Sequence, residues 1–329
     1  MKNRDRWQPR ATLDALRARA RLYEALRGYF AGQGVLEVET PILSVAATVD
    51  PSIDSFRVSA AGSEQHLPHA GHWLQTSPEF AMKRLLAAGS GPIWQLARVF
   101  RAGEQGRHHN PEFTLLEWYR PGWDHHRLMN EVESLLRAVG VAAPGPWPRM
   151  SYREAFLHHA GIDPFEADLA ALRAACADQA AYAESPASPV SRDFYLDLLM
   201  AHAVGPRLGV AQPEFVFDFP ASQAALARIR PGPPPVAERF ELFWKGMELA
   251  NGFHELSDAA EQRARFLAQQ ETRRAQGREV PPYDERLIEA LDAGLPDCAG
   301  VALGVDRLLM LLLDLPELAD TLAFDFERA

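Results

Sequence analysis

The chain has 329 residues, of which 47% are hydrophobic and 24% charged, a composition typical of a globular protein with one large or two modest domains. The formal net charge of −10 disfavours a protein whose main task is to hold a nucleic-acid backbone, since such proteins usually carry a basic excess. No apolar run approaches the length of a bilayer, and the opening segment MKNRDRWQPR lacks the apolar core of a signal peptide. The two cysteines, Cys176 and Cys298, form no CxxC pattern, which favours a reducing cytoplasm over disulfides or a thiolate zinc site.

The first hundred residues predict helices alternating with strands. Leucine and phenylalanine recur at three- and four-residue intervals over residues 11–32, which predicts an amphipathic helix that ends at Gly32. The segment VLEVETP alternates apolar and acidic residues and therefore predicts a strand. Residues 72–89 predict a strand, a turn at Ser77-Pro78 and a short helix.

The next segment predicts a hairpin with a projecting tip. IWQLARVFR and FTLLEWYR have strand composition, and the polar loop AGEQGRHHNPE separates them. A clear helical pattern, HHRLMNEVESLLRAVG, follows the second strand.

An insertion is predicted in the second half of the chain. Residues 142–148 form a connector, and the Ala-rich stretch from Ser151 to about Pro235 is predicted to be largely helical, beginning with a capping box from Ser151 to Glu154. RFELFWKGMELANGFHEL then predicts two strands joined by a turn at Lys245-Gly246. Helices over about 257–274 and 284–293 precede GVALGVDRLLMLLL, which predicts a strand, a glycine break and a buried helix. This order favours an α+β fold with an antiparallel sheet, in a single domain over residues 1–329.

Single residues in the hairpin have ordinary interpretations. Arg101 alone is typical of a solvated loop arginine, and Phe113 alone of a core aromatic. His108 and His109 are better explained as surface histidines than as metal ligands, because no further His, Cys or acidic residue stands beside them at ligand spacing.

Taken together, however, the segments closely resemble the catalytic core of class II aminoacyl-tRNA synthetases of the lysyl branch. GYFAGQGVLEVETP is similar to motif 1, FRAGEQGRHHNPEFTLLEWY to motif 2 and GVALGVDRL to motif 3, while LQTSPEFAMKRL and ELANGFHEL match further lysyl-branch segments. The resemblance implies an antiparallel sheet core flanked by helices, a mainly helical insertion at about 145–235 between motifs 2 and 3, and a homodimer formed through motif 1.

The resemblance also implies an ATP site. Activation of a carboxylic acid by in-line attack on the α-phosphate requires neutralised charge and an aligned attacker, with no protein nucleophile. Arg101 would lie on the α-phosphate, Phe113 would stack under adenine, and Arg307 would cap the other face of the base and reach the γ-phosphate. The catalytic residues implied are Arg101, Glu248 and Arg307; the ATP-binding residues are Arg101, Ala102, Gly103, His109, Asn110, Phe113, Glu248, Leu249, Gly304 and Arg307.

Two acidic residues match the Mg²⁺ ligands of the family. Glu241 and Glu248 flank the predicted Lys245-Gly246 turn and are expected to face each other across two strands. The alternative, a solvated acidic pair, would be mildly repulsive. The chain departs from the family pattern F-R-x-E, because Gly103 occupies the glutamate position and Glu104 follows one place late. Either Glu104 makes the usual contact or backbone groups replace it.

The resemblance implies an acidic amino-acid pocket. Glu79 matches the residue that holds the α-amine, whereas Glu117, Tyr119 and Glu255 match those around the lysine ammonium. A substrate with two ammonium groups requires acidic partners at both ends, because a buried unpaired charge is costly. The substrate-binding residues implied are Ser77, Pro78, Glu79, Glu117, Tyr119, Asn251, Glu255 and Ala302.

Two features differ from lysyl-tRNA synthetases and match the elongation factor P–(R)-β-lysine ligase family. No room for an anticodon-binding domain precedes motif 1, and Ala302 replaces a glycine, so that an added methyl favours an amine placed differently. This likeness implies a cytoplasmic, AMP-forming, ATP- and Mg²⁺-dependent ligase. It would join (R)-β-lysine or lysine through an amide to a lysine of elongation factor P, with tRNA an unlikely partner.

Two alternatives remain open at this point. One is a truncated lysyl-tRNA-synthetase-like enzyme that charges tRNA through the acceptor stem alone. The other is a non-catalytic regulator that binds an amino acid, although the presence of Arg101, Arg307 and the Glu241/Glu248 pair argues against it.

Overall fold

The structure is a computed structural model that describes residues 7–59, 71–177 and 191–329. Its helices are α1 (Leu13–Gly32), α2 (Glu79–Ala87), α3 (His125–Ala138), α4 (Tyr152–His159), α5 (Leu169–Cys176), α6 (Arg192–Leu199), α7 (Ala259–Ala275), α8 (Glu285–Gly294) and α9 (Val305–Leu312). Its strands are β1 (Leu36–Glu37), β2 (Leu43–Ser44), β3 (Arg57–Val58), β4 (His72–Leu74), β5 (Ile93–Phe100), β6 (Glu112–Pro121), β7 (Arg149–Ser151), β8 (Glu214–Pro220), β9 (Ile229–Arg230), β10 (Val236–Trp244), β11 (Met247–His254) and β12 (Cys298–Gly304).

A large sheet forms the centre of the fold. Its strands follow the order β1-β5-β6-β12-β11-β10-β8-β7, with β9 paired to β10. Neighbours are antiparallel except for the β1–β5 and β7–β8 pairs, which are parallel. A small second sheet has the order β2-β4-β3. The predicted α+β fold with an antiparallel core is therefore confirmed.

Helices cover both faces of the large sheet. On one face α1, α3 and α9 enclose a core in which Phe30 stacks on Trp94 with ring centroids 4.7 Å apart. On the other face α2, α7 and α8 pack around Ile93 and Tyr119. Because this second layer leaves part of the sheet uncovered, a cleft forms there.

Both predicted hairpins are present. The β5–β6 hairpin is paired from Ile93 opposite Tyr119 to Phe100 opposite Glu112. The β10–β11 hairpin turns at Lys245 and Gly246, whose φ angles of 51° and 75° are the left-handed values that a two-residue hairpin turn requires.

The insertion is less helical than predicted. It contains α4, α5 and α6, and α4 begins with the expected capping box of Ser151 and Glu154. However, β8 pairs with β10 and extends the large sheet, and β7 adds a further strand beside it. The strand forms because Phe215 and Phe219 point into the two hydrophobic cores. The predicted strand over VLEVETP is also shorter than expected, with only Leu36 and Glu37 paired.

Candidate active site

A cleft of about 710 Å³ opens on the face of the large sheet that carries α2, α7 and α8. It collects residues from β6, β11, β12, α2 and the β5–β6 loop. Most of the predicted site residues line it: Ser77, Pro78, Glu79, Arg101, His109, Asn110, Phe113, Glu248, Leu249, Asn251, Ala302, Gly304 and Arg307. The remaining predicted residues, Ala102, Gly103, Glu117, Tyr119, Glu241 and Glu255, do not contribute to its lining.

Strand register explains how residues far apart in sequence meet at the floor of this cleft. One row crosses five neighbouring strands through directly opposed residues: Gln95, Glu117, Ala302, Asn251 and Glu241. Residues directly opposite each other project from the same face of a sheet. The row therefore places carboxylate and amide groups side by side beneath the cleft.

Glu117 is a buried carboxylate in this row, only 2% exposed. Ser77 Oγ donates to its Oε2 at 2.8 Å, and the Tyr119 hydroxyl donates to its Oε1 at 2.6 Å. Burial, followed by repulsion from Glu79, raises the pKa of Glu117 to about 8. A cation beside Glu117 would favour the ionised carboxylate and thereby relieve this penalty.

Lys83 lies at the centre of the same acidic group and was not predicted from the sequence. Its side chain is 1% exposed, with Nζ 2.7 Å from Glu79 Oε1 and 2.6 Å from Glu255 Oε2. Burial lowers the pKa of Lys83, but the charges of Glu255 and Glu79 outweigh burial and raise the pKa above its usual range. Burial raises the pKa of Glu255 to about 8, against the opposing charge of Lys83. We call Glu79, Lys83, Glu117, Tyr119 and Glu255 the acidic pocket.

Gly300 allows the acidic pocket to close. It lies opposite Tyr119 on β6. A Cβ at this position would come within 2.3 Å of Tyr119 Cε1 and 2.5 Å of Glu255 Oε1. Since such approaches are far inside van der Waals contact, only glycine permits this arrangement of the ring and the carboxylate.

Two arginines line the other end of the cleft. The Arg101 guanidinium lies 5.1 Å from the centroid of the Phe113 ring, and its Nε donates to Thr76 O at 3.4 Å. Arg307, in the first turn of α9, donates from Nη1 to Glu248 O at 2.9 Å and from Nε to His108 O at 3.3 Å. Because Arg307 is anchored to carbonyl groups, its positive charge is available to an anionic ligand.

The β5–β6 loop is attached to the C-terminal segment. Asn110 Nδ2 donates to Glu112 O at 2.6 Å, and Asn110 Oδ1 accepts from the Phe326 N–H at 3.1 Å. Arg107 O accepts from the Leu318 N–H at 2.9 Å. The Asn110 amide therefore holds the loop in place at the edge of the cleft, in addition to lining it.

The predicted acidic pair is arranged differently from expectation. Glu241 lies opposite Asn251, whereas Glu248 lies opposite Phe243, because the register shifts between Leu242 and Phe243. Direct opposition of Glu241 and Glu248 is thus wrong, since a β-bulge separates them. The two carboxylates remain electrostatic neighbours, as burial and then Glu248 raise the pKa of Glu241 to about 7. Arg239 donates a hydrogen bond to Glu241.

Comparison with known proteins identifies the family of the chain. Residues 6–328 match the family of class II tRNA synthetases of the D, K and N type. The chain is also 50% identical over 325 residues to proteins named elongation factor P–(R)-β-lysine ligase from Salmonella typhi, Salmonella paratyphi B and Salmonella heidelberg, covering 98% of each chain. The chain belongs to this ligase family within the class II synthetases.

One departure from the family pattern has a local explanation. Gly103 has a φ of 81°, a left-handed value that a glutamate at this position would adopt only with strain. The turn places Glu104 in the lining of the cleft, with Oε1 3.6 Å from Arg101 Nη1. Glu104 is thus the acidic group that contacts Arg101, one place later than in the pattern.

Lys83 could have been predicted from two features. It stands four residues after Glu79 on a predicted helix, the spacing of a helical ion pair, in a chain whose only other lysines are Lys2 and Lys245. Arg239, which donates a hydrogen bond to Glu241, was also missed, and no feature of the sequence indicated this contact. Among the described residues, no helix is both long and apolar enough to cross a membrane.

Proposed function

We propose that the chain uses ATP to activate (R)-β-lysine, or lysine, and transfers it to a lysine side-chain amine of elongation factor P. In the first step a carboxylate oxygen of the amino acid attacks the α-phosphorus, and pyrophosphate leaves. In the second step the acceptor amine attacks the acyl carbon, a proton is lost and AMP leaves. An amine is intrinsically more nucleophilic than a ribose hydroxyl, so the second step depends mainly on positioning.

The observation that carries the proposal is the charge of the acidic pocket. Glu79, Glu117 and Glu255 contribute three carboxylates and Lys83 one ammonium, which leaves two negative charges when all are ionised. A diamino acid supplies two ammonium groups and would neutralise them. A monoamino acid would leave one buried carboxylate unpaired or protonated, at a cost in affinity.

The other end of the cleft suits a nucleoside triphosphate. Arg101 has a fork of donors for the α-phosphate, and Phe113 offers an aromatic face to adenine. Arg307 would lie on the opposite side of the base. The space around Gly304 supports close approach of the ribose, since a Cβ there would meet protein atoms only at 3.8 Å or beyond. Arg101 would stabilise the charge that develops on the α-phosphate during attack.

The Glu241/Glu248 pair suits Mg²⁺. Two neighbouring carboxylates disfavour each other's ionised form, as the raised pKa of Glu241 indicates, and a hard divalent cation removes that penalty. When bound, Mg²⁺ would neutralise phosphate charge. Glu248, at the lining of the cleft, would hold it together with Glu241, which Arg239 orients.

Ala302 supports a preference for the β-amino acid. It lies between Glu117 and Asn251 in the row across the sheet, and it lines the cleft. Its methyl group occupies space where glycine would leave room for an α-amine. A substrate whose amine is attached one carbon further from the carboxylate avoids this contact.

A labelled transfer assay distinguishes the proposal from its two alternatives. The purified chain is incubated with ATP and labelled (R)-β-lysine or lysine, and then offered elongation factor P or tRNA. We expect label on elongation factor P; label on tRNA alone would establish the tRNA-charging alternative. We also expect ATP–pyrophosphate exchange that Arg101→Ala abolishes and the surface change Arg274→Ala preserves. Absence of exchange with every diamino acid would favour the non-catalytic regulator.

The proposal includes a single catalytic domain over residues 1–329 and a homodimer formed through motif 1, in the cytoplasm. Exposed apolar side chains in the first part of the chain support the dimer: Leu13 is 65% exposed, Leu36 56% and Ile42 44%. Light scattering is expected to give twice the chain mass. Leu36→Glu combined with Ile42→Glu should halve the measured mass, whereas Leu267→Glu, at an exposed apolar site on α7, should leave the mass unchanged. A wild-type monomer would contradict the dimer.

A further inference from the structure

A second polar cluster lies on the sheet face opposite the cleft, where β10 and β11 meet the first residue of α3. His125, Glu238 and His254 each direct one potential ligand atom into it, and these atoms all lie within 4.8 Å of one another. The cluster and the acidic pocket lie on opposite faces of the sheet, because Glu238 and His254 share the face that packs against α3. Nothing in the proposed ligase reaction uses it.

His125 is a buried side chain whose polar atoms lack hydrogen-bond partners in the described part of the chain. It is 1% exposed, and neither of its ring nitrogens has a hydrogen-bond partner among the described residues. A neutral imidazole carries one N–H donor and one lone pair, and burying both without partners costs about 1–3 kcal/mol for each group. Asp218 Oδ1, which is also buried and without a hydrogen-bond partner in the described part of the chain, lies 4.0 Å from His125 Nε2.

Asp218 has an unusual backbone conformation. Its φ of 59° is left-handed, a conformation that a non-glycine residue adopts at some cost. The Arg230 guanidinium holds its other carboxylate oxygen at 2.5 Å. The strained backbone thus directs a carboxylate oxygen toward His125 without completing a hydrogen bond to it.

His254 is held between two carboxylates. Its Nδ1 lies 2.7 Å from Glu238 Oε2, and its Nε2 lies 3.0 Å from Asp297 Oδ1. A neutral imidazole can donate to only one of these carboxylates, so its lone pair would face the other one. Donation from Nε2 to Asp297 is the arrangement that orients metal-binding histidines, and it leaves the Nδ1 lone pair directed toward Glu238.

The charges around the cluster also favour a cation. Glu238, Asp218 and Asp297 are accompanied by the guanidiniums of Arg228 and Arg230, which leaves one net negative charge. Asp124, the N-cap of α3, acts electrostatically on His125 and His254 and adds a second negative charge. Asp297 is 59% exposed, which leaves a solvent path to His254.

We propose that His125, Glu238 and His254 bind one divalent transition-metal ion, of which Zn²⁺ is the best match to a ligand set of two imidazoles and one carboxylate. Tetrahedral ligand atoms at about 2.0–2.2 Å from an ion lie about 3.3–3.6 Å from one another. The His125 nitrogen would therefore move closer to the other two ligand atoms, while His254 Nδ1 and Glu238 Oε2, 2.7 Å apart, would separate slightly. The ion would connect α3 to β10 and β11. It would use the lone pair of one His125 nitrogen, which has no hydrogen-bond partner among the described residues.

Metal titration of the full chain tests this site directly. Protein stripped with a chelator and returned to buffer with excess MgCl₂, which occupies oxygen-ligand sites in the cleft, is titrated with Zn²⁺ against a chromophoric zinc indicator. We expect one equivalent of tight uptake per chain. Substitution with Co²⁺ is expected to give the visible absorption bands of a four-coordinate site. Absence of both stoichiometric uptake and these bands in the wild-type protein would overturn the proposal.

Matched histidine variants give the second measurement. His125→Ala is expected to weaken Zn²⁺ binding by about 100-fold or more, because it removes a ligand. His158→Ala changes an exposed histidine in the last turn of α4, outside the cluster, and should leave binding unchanged. If His125→Ala does not fold, Glu238→Gln is used in its place and is likewise expected to weaken Zn²⁺ binding. Equal Zn²⁺ affinity in all variants would show that the ion binds elsewhere and would overturn the proposal. If His254 instead donates to both carboxylates as an imidazolium, no Zn²⁺ uptake is expected.

Discussion

Glu255→Gln tests the charge of the acidic pocket with little change of shape. Glu255 is 2% exposed and packs against Gly300 and Tyr119, so the nearly isosteric glutamine keeps the packing and removes one charge. A hydrogen bond to a charged group is worth about 1.5–3 kcal/mol. At about 1.4 kcal/mol per factor of ten, the KM for the diamino acid should rise by roughly 10- to 150-fold. The KM for ATP should stay near its wild-type value, because Glu255 belongs to the acidic pocket and is not among the residues proposed to bind ATP.

The assay is ATP–pyrophosphate exchange with each substrate varied in turn. Glu112→Gln, at an exposed position on β6, is the control and should change neither KM. Adding Lys83→Met to Glu255→Gln returns the pocket to two net negative charges, so the double variant should recover part of the lost affinity. An unchanged amino-acid KM, or a parallel rise in both KM values, would refute the charge argument. Further loss in a double variant that still folds would refute it as well.

Three further predictions concern the same cleft. Ala302→Gly should increase kcat/KM for α-lysine relative to (R)-β-lysine, and unchanged selectivity would mean that the relevant wall lies elsewhere. Gly300→Ala should lower the Tm and impair amino-acid use, because its Cβ would clash at 2.3 Å with Tyr119, whereas Gly304→Ala should raise the ATP KM at constant Tm; the reverse pattern would contradict the assignment of the two glycines. Burial raises the pKa values of Glu117 and Glu255 to about 8. Since cation binding requires their ionised forms, the diamino-acid KM should fall as pH rises from about 6 to about 8, with proton release measurable by calorimetry in two buffers. Without substrate, both groups should destabilise the fold as pH rises toward about 8, because the folded state then binds more protons than the unfolded state; a Tm that rises over this range would contradict the shifts.

Local patterns in the sequence predicted most of the fold. The two hairpins were identified because runs of strand composition flank a polar loop in the first and turn residues in the second. The left-handed φ values at Lys245 and Gly246 are the physical reason that the second turn forms. The insertion was predicted poorly because alanine-rich composition outweighed a short alternating pattern. In EFVFDFP, Phe215, Phe217 and Phe219 recur with the period of a strand, and this segment joins the large sheet.

The residues of the candidate site were predicted from the sequence, but their burial and the ion pairs between them were not. The family resemblance predicted Glu117 and Glu255 as carboxylates around a substrate ammonium, but it gave no sign that both are buried behind the cleft. Lys83 was missed because a helical ion pair is ordinarily a surface feature, whereas this one is closed over by the sheet. The His125 cluster depends on three residues brought together only by tertiary structure, which no spacing rule detects.

The attachment of the β5–β6 loop to residues 318–326 has a practical consequence. Since the Phe326 N–H and the Leu318 N–H both bond to that loop, deleting the last few residues would loosen the tip of the hairpin more than 200 positions earlier in the sequence. A bulky fusion partner at this end risks the same effect, seen as weaker nucleotide affinity in a protein that melts normally.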